Sequence, residues 1–188
     1  MTCVSVRTED DVTLAALFER SELDVIIGPF DADVWHKRGV SVHPMIRDRI
    51  IAVARAAHPI FDVARDPDDP AWPDRVWSYP LVAPKTQGTV RPQDGSSSVR
   101  PRRVASDNYG LLRQLTLRLD VICGGPGALF RDDLAQGAQR KIDIDLRMDW
   151  QSVLLVREEA LATPLVKHFV GLCEATCGDQ AQEPHNLS

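Results

Sequence analysis

The residues able to do chemistry in this 188-residue chain fall into a few short groups. Gly124-Gly125-Pro126-Gly127 follows the apolar run Val121-Ile122-Cys123 and precedes a helical stretch. Glycines at such a junction leave backbone N–H groups free to meet an anion, or simply permit a tight turn. Ser106, Asp107 and Asn108 follow Val104-Ala105 and precede a leucine-rich stretch. Their hydroxyl, carboxylate and amide groups stand at the strand-to-helix edge where α/β sheets favour ligands. Ordinary capping, with Asp107 as the cap, is the other reading. Thr86 and Gln87 follow Leu81-Val82-Ala83 and either reach a ligand or belong to an exposed loop. Gly28-Pro29-Phe30 ends the run Val25-Ile26-Ile27, so Phe30 either lines a cleft or packs in the core.

Other groups carry less. From Lys85 to Arg103 five basic residues stand against the single acid Asp94. The stretch could attract an anionic ligand or DNA phosphate, but a solvated loop is the simpler explanation. Cys173 and Cys177 share a helical face at i and i+4, with His168 close by. A zinc site needs a second pair of ligands at suitable spacing, and the sequence supplies none, so idle or buried thiols are expected. No nucleophile elbow, P-loop, H-E-x-x-H or dinucleotide fingerprint is present. Asp132-Asp133 and Glu158-Glu159 are neighbours along the chain and read as solvated faces rather than acid/base pairs. The expectation is a protein that is not an enzyme and needs no cofactor or metal.

The elements that must position these groups follow from composition and periodicity. Hydrophobic residues make up 44% and charged residues 26%, an ordinary globular mixture for one domain or two small lobes. The net charge of −5 argues against a dedicated nucleic-acid surface. The start of the chain leads into charges rather than a signal-peptide core, so a cytoplasmic location is expected. Four irregularly spaced cysteines do not make a disulfide framework.

Short strands are predicted at Val4–Thr8, Val25–Ile27, Val40–Val42, Arg49–Arg55 (where the alanines leave helix as the alternative), Leu81–Ala83, Val104–Ser106, Val121–Cys123 and Val153–Val156. Ile142, Ile144, Leu146 and Met148 alternate strictly with charged residues and predict a half-exposed strand across 141–148. Helices are predicted after Glu9-Asp10-Asp11, through Leu111, Leu112, Leu115 and Leu119, through Leu129, Phe130 and Leu134, and from Thr163-Pro164. The last carries the stripe Leu165, Val166, Phe169, Val170 and Leu172. The Pro- and Asp-rich stretch between Phe61 and Pro80 reads as loop, anchored by Trp72 and Trp77. Strands alternating with helices predict an α/β architecture.

Five segments in order resemble the effector-binding domain of LysR-type transcriptional regulators. They are Leu14 to Ile27, with "S-E-L-D-V-I-I" and Ser21 where the family usually has glycine; Asp48 to Ile60, with its "H-P-I" step; Trp77-Ser-Tyr-Pro-Leu-Val82; Val104-Ala-Ser-Asp-Asn leading to Val121-Ile-Cys-Gly-Gly-Pro126; and Leu154-Leu-Val-Arg with Thr163-Pro164 and Phe169. The resemblance runs over roughly residues 4–176. It implies two Rossmann-like lobes joined by two crossover segments, a type 2 periplasmic-binding-protein-like fold, with the first strand and helix of lobe I missing. Residues 1–58 and 152–178 would form lobe I, 59–151 lobe II, and 179–188 a polar tail.

The implied function is sensing of a small polar or anionic effector, with closure of the lobes shifting the arrangement of a homo-oligomer. Gly28, Phe30, Thr86, Gln87, Ser106, Asp107, Asn108, Cys123, Gly124 and Gly125 would contact that effector. DNA would be bound only through a helix-turn-helix that this chain does not contain, and no membrane is involved. A standalone solute-binding or scaffold domain of the same fold is the alternative, and a small enzyme using the cleft is a more distant one.

Overall fold

The computed structural model describes residues 4–63, 69–84, 102–106, 108–146 and 148–177. In chain order the elements are α1 (Asp11–Glu19), β1 (Val25–Gly28), α2 (Ala32–His36), β2 (Ser41–Arg55), α3 (Trp72–Trp77), β3 (Leu81–Ala83), β4 (Arg103–Ala105), α4 (Tyr109–Arg118), β5 (Ile122–Pro126), α5 (Arg131–Ala135), β6 (Gln139–Ile142), β7 (Asp149–Val156) and α6 (Pro164–Cys177). Single 3-10 turns occupy Pro59–Phe61, Gly127–Phe130 and Glu158–Ala162. The chain divides into two compact units, Met1–Arg47 with Trp150–Ser188, and Asp48–Asp149. It therefore passes between them at 47/48 and 149/150, where the sequence reading places the passages at 58/59 and 151/152.

In the first unit the strand order is β1-β7-β2. β1 runs antiparallel to β7, with Val25 opposite Val156 and Gly28 opposite Val153. Alternate residues of β7 serve opposite faces, as the pleat requires. Val153 and Leu155 join Phe18, Ile26, Phe30 and Trp35, whereas Leu154 and Val156 join Met45, Ala160 and Val170. Asp10 caps α1, its Oδ1 accepting from the Thr13 N–H at 2.8 Å. At the other end of α1 the Glu22 N–H donates to Leu17 O and the Ser21 N–H to Phe18 O. This paired closure requires a left-handed residue, and Ser21 takes φ 64°. The family's glycine at this point thus has a conformational reason, which serine meets under strain.

Val4 and Val6 form no strand; both are exposed. Alternation over so few residues gives no stability without an apolar partner surface. On α6 the buried side is not the whole predicted stripe. Val166, Val170, Cys173 and Cys177 face the cluster around Leu154, while Leu165, Phe169 and Leu172 are exposed.

In the second unit the order is β2-β5-β3-β4, with β6 also paired to β2. β2 is antiparallel to both β5 and β6, and β3 is parallel to β4 and β5. Val53, Val82, Leu112, Val121, Cys123 and Phe130 form its core. Arg113 of α4 clasps the buried Asp133 of α5 through two hydrogen bonds of 2.6 Å.

Three expectations are corrected here. The strand predicted over 141–148 stops at Ile142, because the Ile144 N–H turns back to Ile142 O in a three-residue turn. Ile142 and Leu146 are nevertheless buried. The segment between Phe61 and Pro80 is not all loop: α3 forms with Pro73 in its first turn, where a missing N–H costs no hydrogen bond. Trp77 is buried on it, and Trp72 donates its indole N–H to Asp143 O at 2.8 Å. Finally, the cap of α4 is Asn108, whose Oδ1 accepts from the Leu111 N–H at 3.0 Å, and not Asp107. The "H-P-I" step also gains a physical role. His58 Nδ1 accepts from the Ile60 N–H at 3.0 Å and caps the Pro59–Phe61 turn, with its ring edge-on to Tyr79 at 4.5 Å.

Candidate functional site

Parallel strands present their carboxyl ends at one edge, and in the second unit β5, β3 and β4 lie side by side in that order. The register pairs Ala83 with Ala105 and Val82 with Cys123, so Gly124 stands level with Ala83. Pro84, Ser106 and Gly125 therefore lie at one edge. β4 and β5 flank β3, so Ser106 and Gly125 are separated by two interstrand spacings, about 9–10 Å. This edge gathers Ser106, Asn108, Cys123, Gly124 and Gly125 from the expected site. Gly28 and Phe30 belong to the first unit. Thr86, Gln87 and Asp107 lie outside the described residues, as does most of the basic stretch after Pro84.

Local bonding orders the β4 to α4 corner. The Ser106 N–H donates to Ala83 O at 3.2 Å, which ties the corner to β3. The Ser106 Oγ accepts from the Asn108 N–H at 3.1 Å, and Asn108 in turn caps α4. Both polar side chains are thus held in place at the edge by backbone partners. The Cys123 thiol is a core group. Burial pushes its pKa up to about 11, against the opposing effect of the Thr116 hydroxyl, and it packs with Leu112 and Phe130. A ligand would meet Cys123 through its backbone only.

The glycines are not the turn that the sequence suggests. Gly124 and Gly125 continue β5, buried and paired with Ala52 and Ile51 of β2. A Cβ on Gly125 would lie 3.2 Å from Phe130 Cζ, so the absence of a side chain there lets the aromatic ring sit close against the strand. The turn begins two residues later, at Gly127, and the Ala128 amide within it already has an acidic partner. Asp48 of β2 accepts from the Ala128 N–H at 2.6 Å through Oδ2 and from the Arg49 N–H at 2.7 Å through Oδ1. Its Oδ1 stands 3.4 Å from where a Gly127 Cβ would be. Sequence reading missed Asp48 because the contact spans eighty residues and no local pattern signals it.

Gly28 and Phe30 meet in the first unit's core. A Cβ on Gly28 would come within 2.8 Å of Phe30 Cε2, and the Phe30 ring packs edge-on to Trp35 at 6.3 Å. Among the described residues no group of three His, Cys, Asp or Glu side chains could hold a metal ion, and His168 is exposed on α6. Among them, too, no helix is long and apolar enough to cross a membrane.

Two α/β units linked by two chain passages, with polar residues at the carboxyl edge of parallel strands, define a ligand-sensing domain of the type 2 periplasmic-binding-like class. Residues 2–178 match the LysR substrate binding domain, and the chain belongs to that family. It is an effector-sensing regulatory domain of the LysR type. No curated protein matches it. Among solved structures it is similar to the apo regulatory domain of HypT from Salmonella typhimurium, at 12% identity and TM-score 0.70, covering 93% of this chain and 82% of that one. It is also similar to the MetR regulatory domain from N. meningitidis, at 14% identity and TM-score 0.63, covering 95% and 80%. CrgA from Neisseria meningitidis, a LysR-type transcriptional regulator, matches at 14% identity and TM-score 0.66, over 87% of this chain but 55% of that one. At such identities the likeness carries the fold.

Proposed function

We propose that the domain senses a small polar effector at the carboxyl edge of β5, β3 and β4, and that Ser106 and Asn108 orient it. The supporting observation is the ordered corner in which Ser106 is tied to β3 and Asn108 to α4. Binding sites of this kind need a few polar groups fixed before the ligand arrives. Gly28, Phe30, Thr86, Gln87 and Asp107 are further proposed contacts, and Cys123, Gly124 and Gly125 would contribute backbone alone. An acidic group on the effector is disfavoured beside Gly127, where the Asp48 carboxylate occupies the turn. It is better accommodated at the Ser106 corner.

The output of binding is a shift between arrangements of a homo-oligomer, which requires unequal effector affinity for the two arrangements. α6, with Leu165 and Leu172 exposed, and α1 are the interface elements in this reading. The chain has no catalytic role and works in the cytoplasm, and DNA contact belongs to a separate helix-turn-helix.

The test is a thermal-shift screen of small polar and acidic metabolites followed by calorimetric titration. A hit should lose about 3–10-fold in affinity in Ser106→Ala, the worth of one hydrogen bond. A hit that binds Ser106→Ala and Asn108→Ser as tightly as the parent chain would place the effector elsewhere. Turnover of the hit would remove the regulatory reading.

A further inference from the structure

Phe169, Cys173 and Cys177 stand on one row of α6 at intervals of four residues. Both cysteines are free thiols and partly buried. They pack against the cluster of Met45, Leu154, Val156, Ala160 and Val170. His43 of β2 pins this end of the helix, its Nδ1 lying 2.7 Å from Glu174 Oε1. The thiols are close enough to influence each other: burial raises the Cys173 pKa most, and Cys177 adds to the rise.

A helix holds the Cβ atoms of such a pair about 5–6 Å apart. A disulfide needs about 3.5–4.5 Å, so the two sulfurs cannot join while α6 keeps its turn. Each sulfur nevertheless extends one bond beyond its Cβ, and a single large soft atom can bond both. Zinc is a poor occupant because it takes four ligands, and no third His, Cys, Asp or Glu among the described residues converges on the pair. The fitting occupant is one that two thiolates satisfy. Phe169, one turn before Cys173 and 41% exposed, offers an apolar contact to an organic substituent on that atom.

We propose that Cys173 and Cys177 form a dithiol site for trivalent organoarsenicals, in the first unit and independent of the effector edge. With an arsine oxide, both thiols give up their protons and two arsenic–sulfur bonds form. The oxide oxygen leaves with the two protons as water. Arsenic remains trivalent, so no oxidant or reductant takes part.

Phenylarsine oxide is the probe, read by intact-mass spectrometry of the full chain. One phenylarsenic unit should add with loss of two thiol protons and should survive excess glutathione, because ring closure makes the second bond intramolecular. A small dithiol should remove it. Cys173→Ser and Cys177→Ser should each weaken retention by about 100-fold or more, the advantage of two linked contacts over one. A Cys3→Ser/Cys123→Ser chain should retain the adduct. Peptide mapping of the unmutated protein after iodoacetamide should show Cys173 and Cys177 protected together, which needs no variant to fold. Loss of the adduct to glutathione, unprotected Cys173 or Cys177, or equal retention by either single variant would overturn the proposal.

Discussion

Gly28 offers the sharpest test of how the first unit is packed. An alanine there brings a methyl group to 2.8 Å from Phe30 Cε2, well inside contact distance. The Phe30 ring cannot swing away freely. It is 7% exposed, edge-on to Trp35, and Trp35 is itself edge-on to Phe18 at 5.5 Å. Overpacking of this kind costs about 1–3 kcal/mol. At an m-value of about 2 kcal/mol/M the urea midpoint should fall by about 0.5–1.5 M. The mechanism is isolated by a double-mutant cycle with Phe30→Leu, which shortens the side chain and removes the clashing ring edge. In that background Gly28→Ala should cost much less, leaving a coupling energy of about 0.5–3 kcal/mol. Tryptophan fluorescence follows the transition, since Trp35 belongs to the same cluster. Additive costs, or a Gly28→Ala protein as stable as the parent, would show that Phe30 does not lie over Gly28. The ring would then be free to serve the effector.

Three further outcomes can be checked on the same preparations. Ser21→Gly should stabilise the protein by about 1 kcal/mol, because glycine meets no Cβ penalty at φ 64°; denaturant titration reads it, and no gain would exclude the left-handed turn after α1. His58 should make stability fall on acidification. Burial lowers its pKa from 6.5, aided by Arg55 and opposed by Asp120, so the unfolded chain binds the proton first and stability is lost as pH drops below about 6.5. His58→Asn should flatten that part of the pH–stability profile, and an unchanged slope would deny the burial. Asp48→Asn removes the negative charge beside the Ala128 amide and should leave the affinity for an acidic effector held at the Ser106 corner nearly unchanged; a several-fold gain in calorimetric titration would instead place the acid group at the Gly127 turn.

Much of the fold was legible in the residues. Leu81–Ala83 and Val153–Val156 are strands because short apolar runs between breakers bury both faces that way, and Val25–Ile27 is a strand too, although at the sheet edge it leaves Ile27 exposed; Asp10 caps α1 through a bond that is entirely local. The order of the family-like segments anticipated the class of domain, and the structure supplied the reason for the glycine usually found at position 21. Other features depend on partners distant in sequence. The alternation at 141–148 could not reveal that Ile144 turns back on Ile142, nor could the glycines at 124 and 125 reveal that β2 and Phe130 hold them inside a strand. The expected anion turn became a site with its own carboxylate only because β2 delivers Asp48 to Ala128. Local propensity and hydrophobic period are written in neighbouring residues. Which side chain fills a turn, and which of two apolar stripes on α6 stays exposed, depends on what the rest of the chain brings against it.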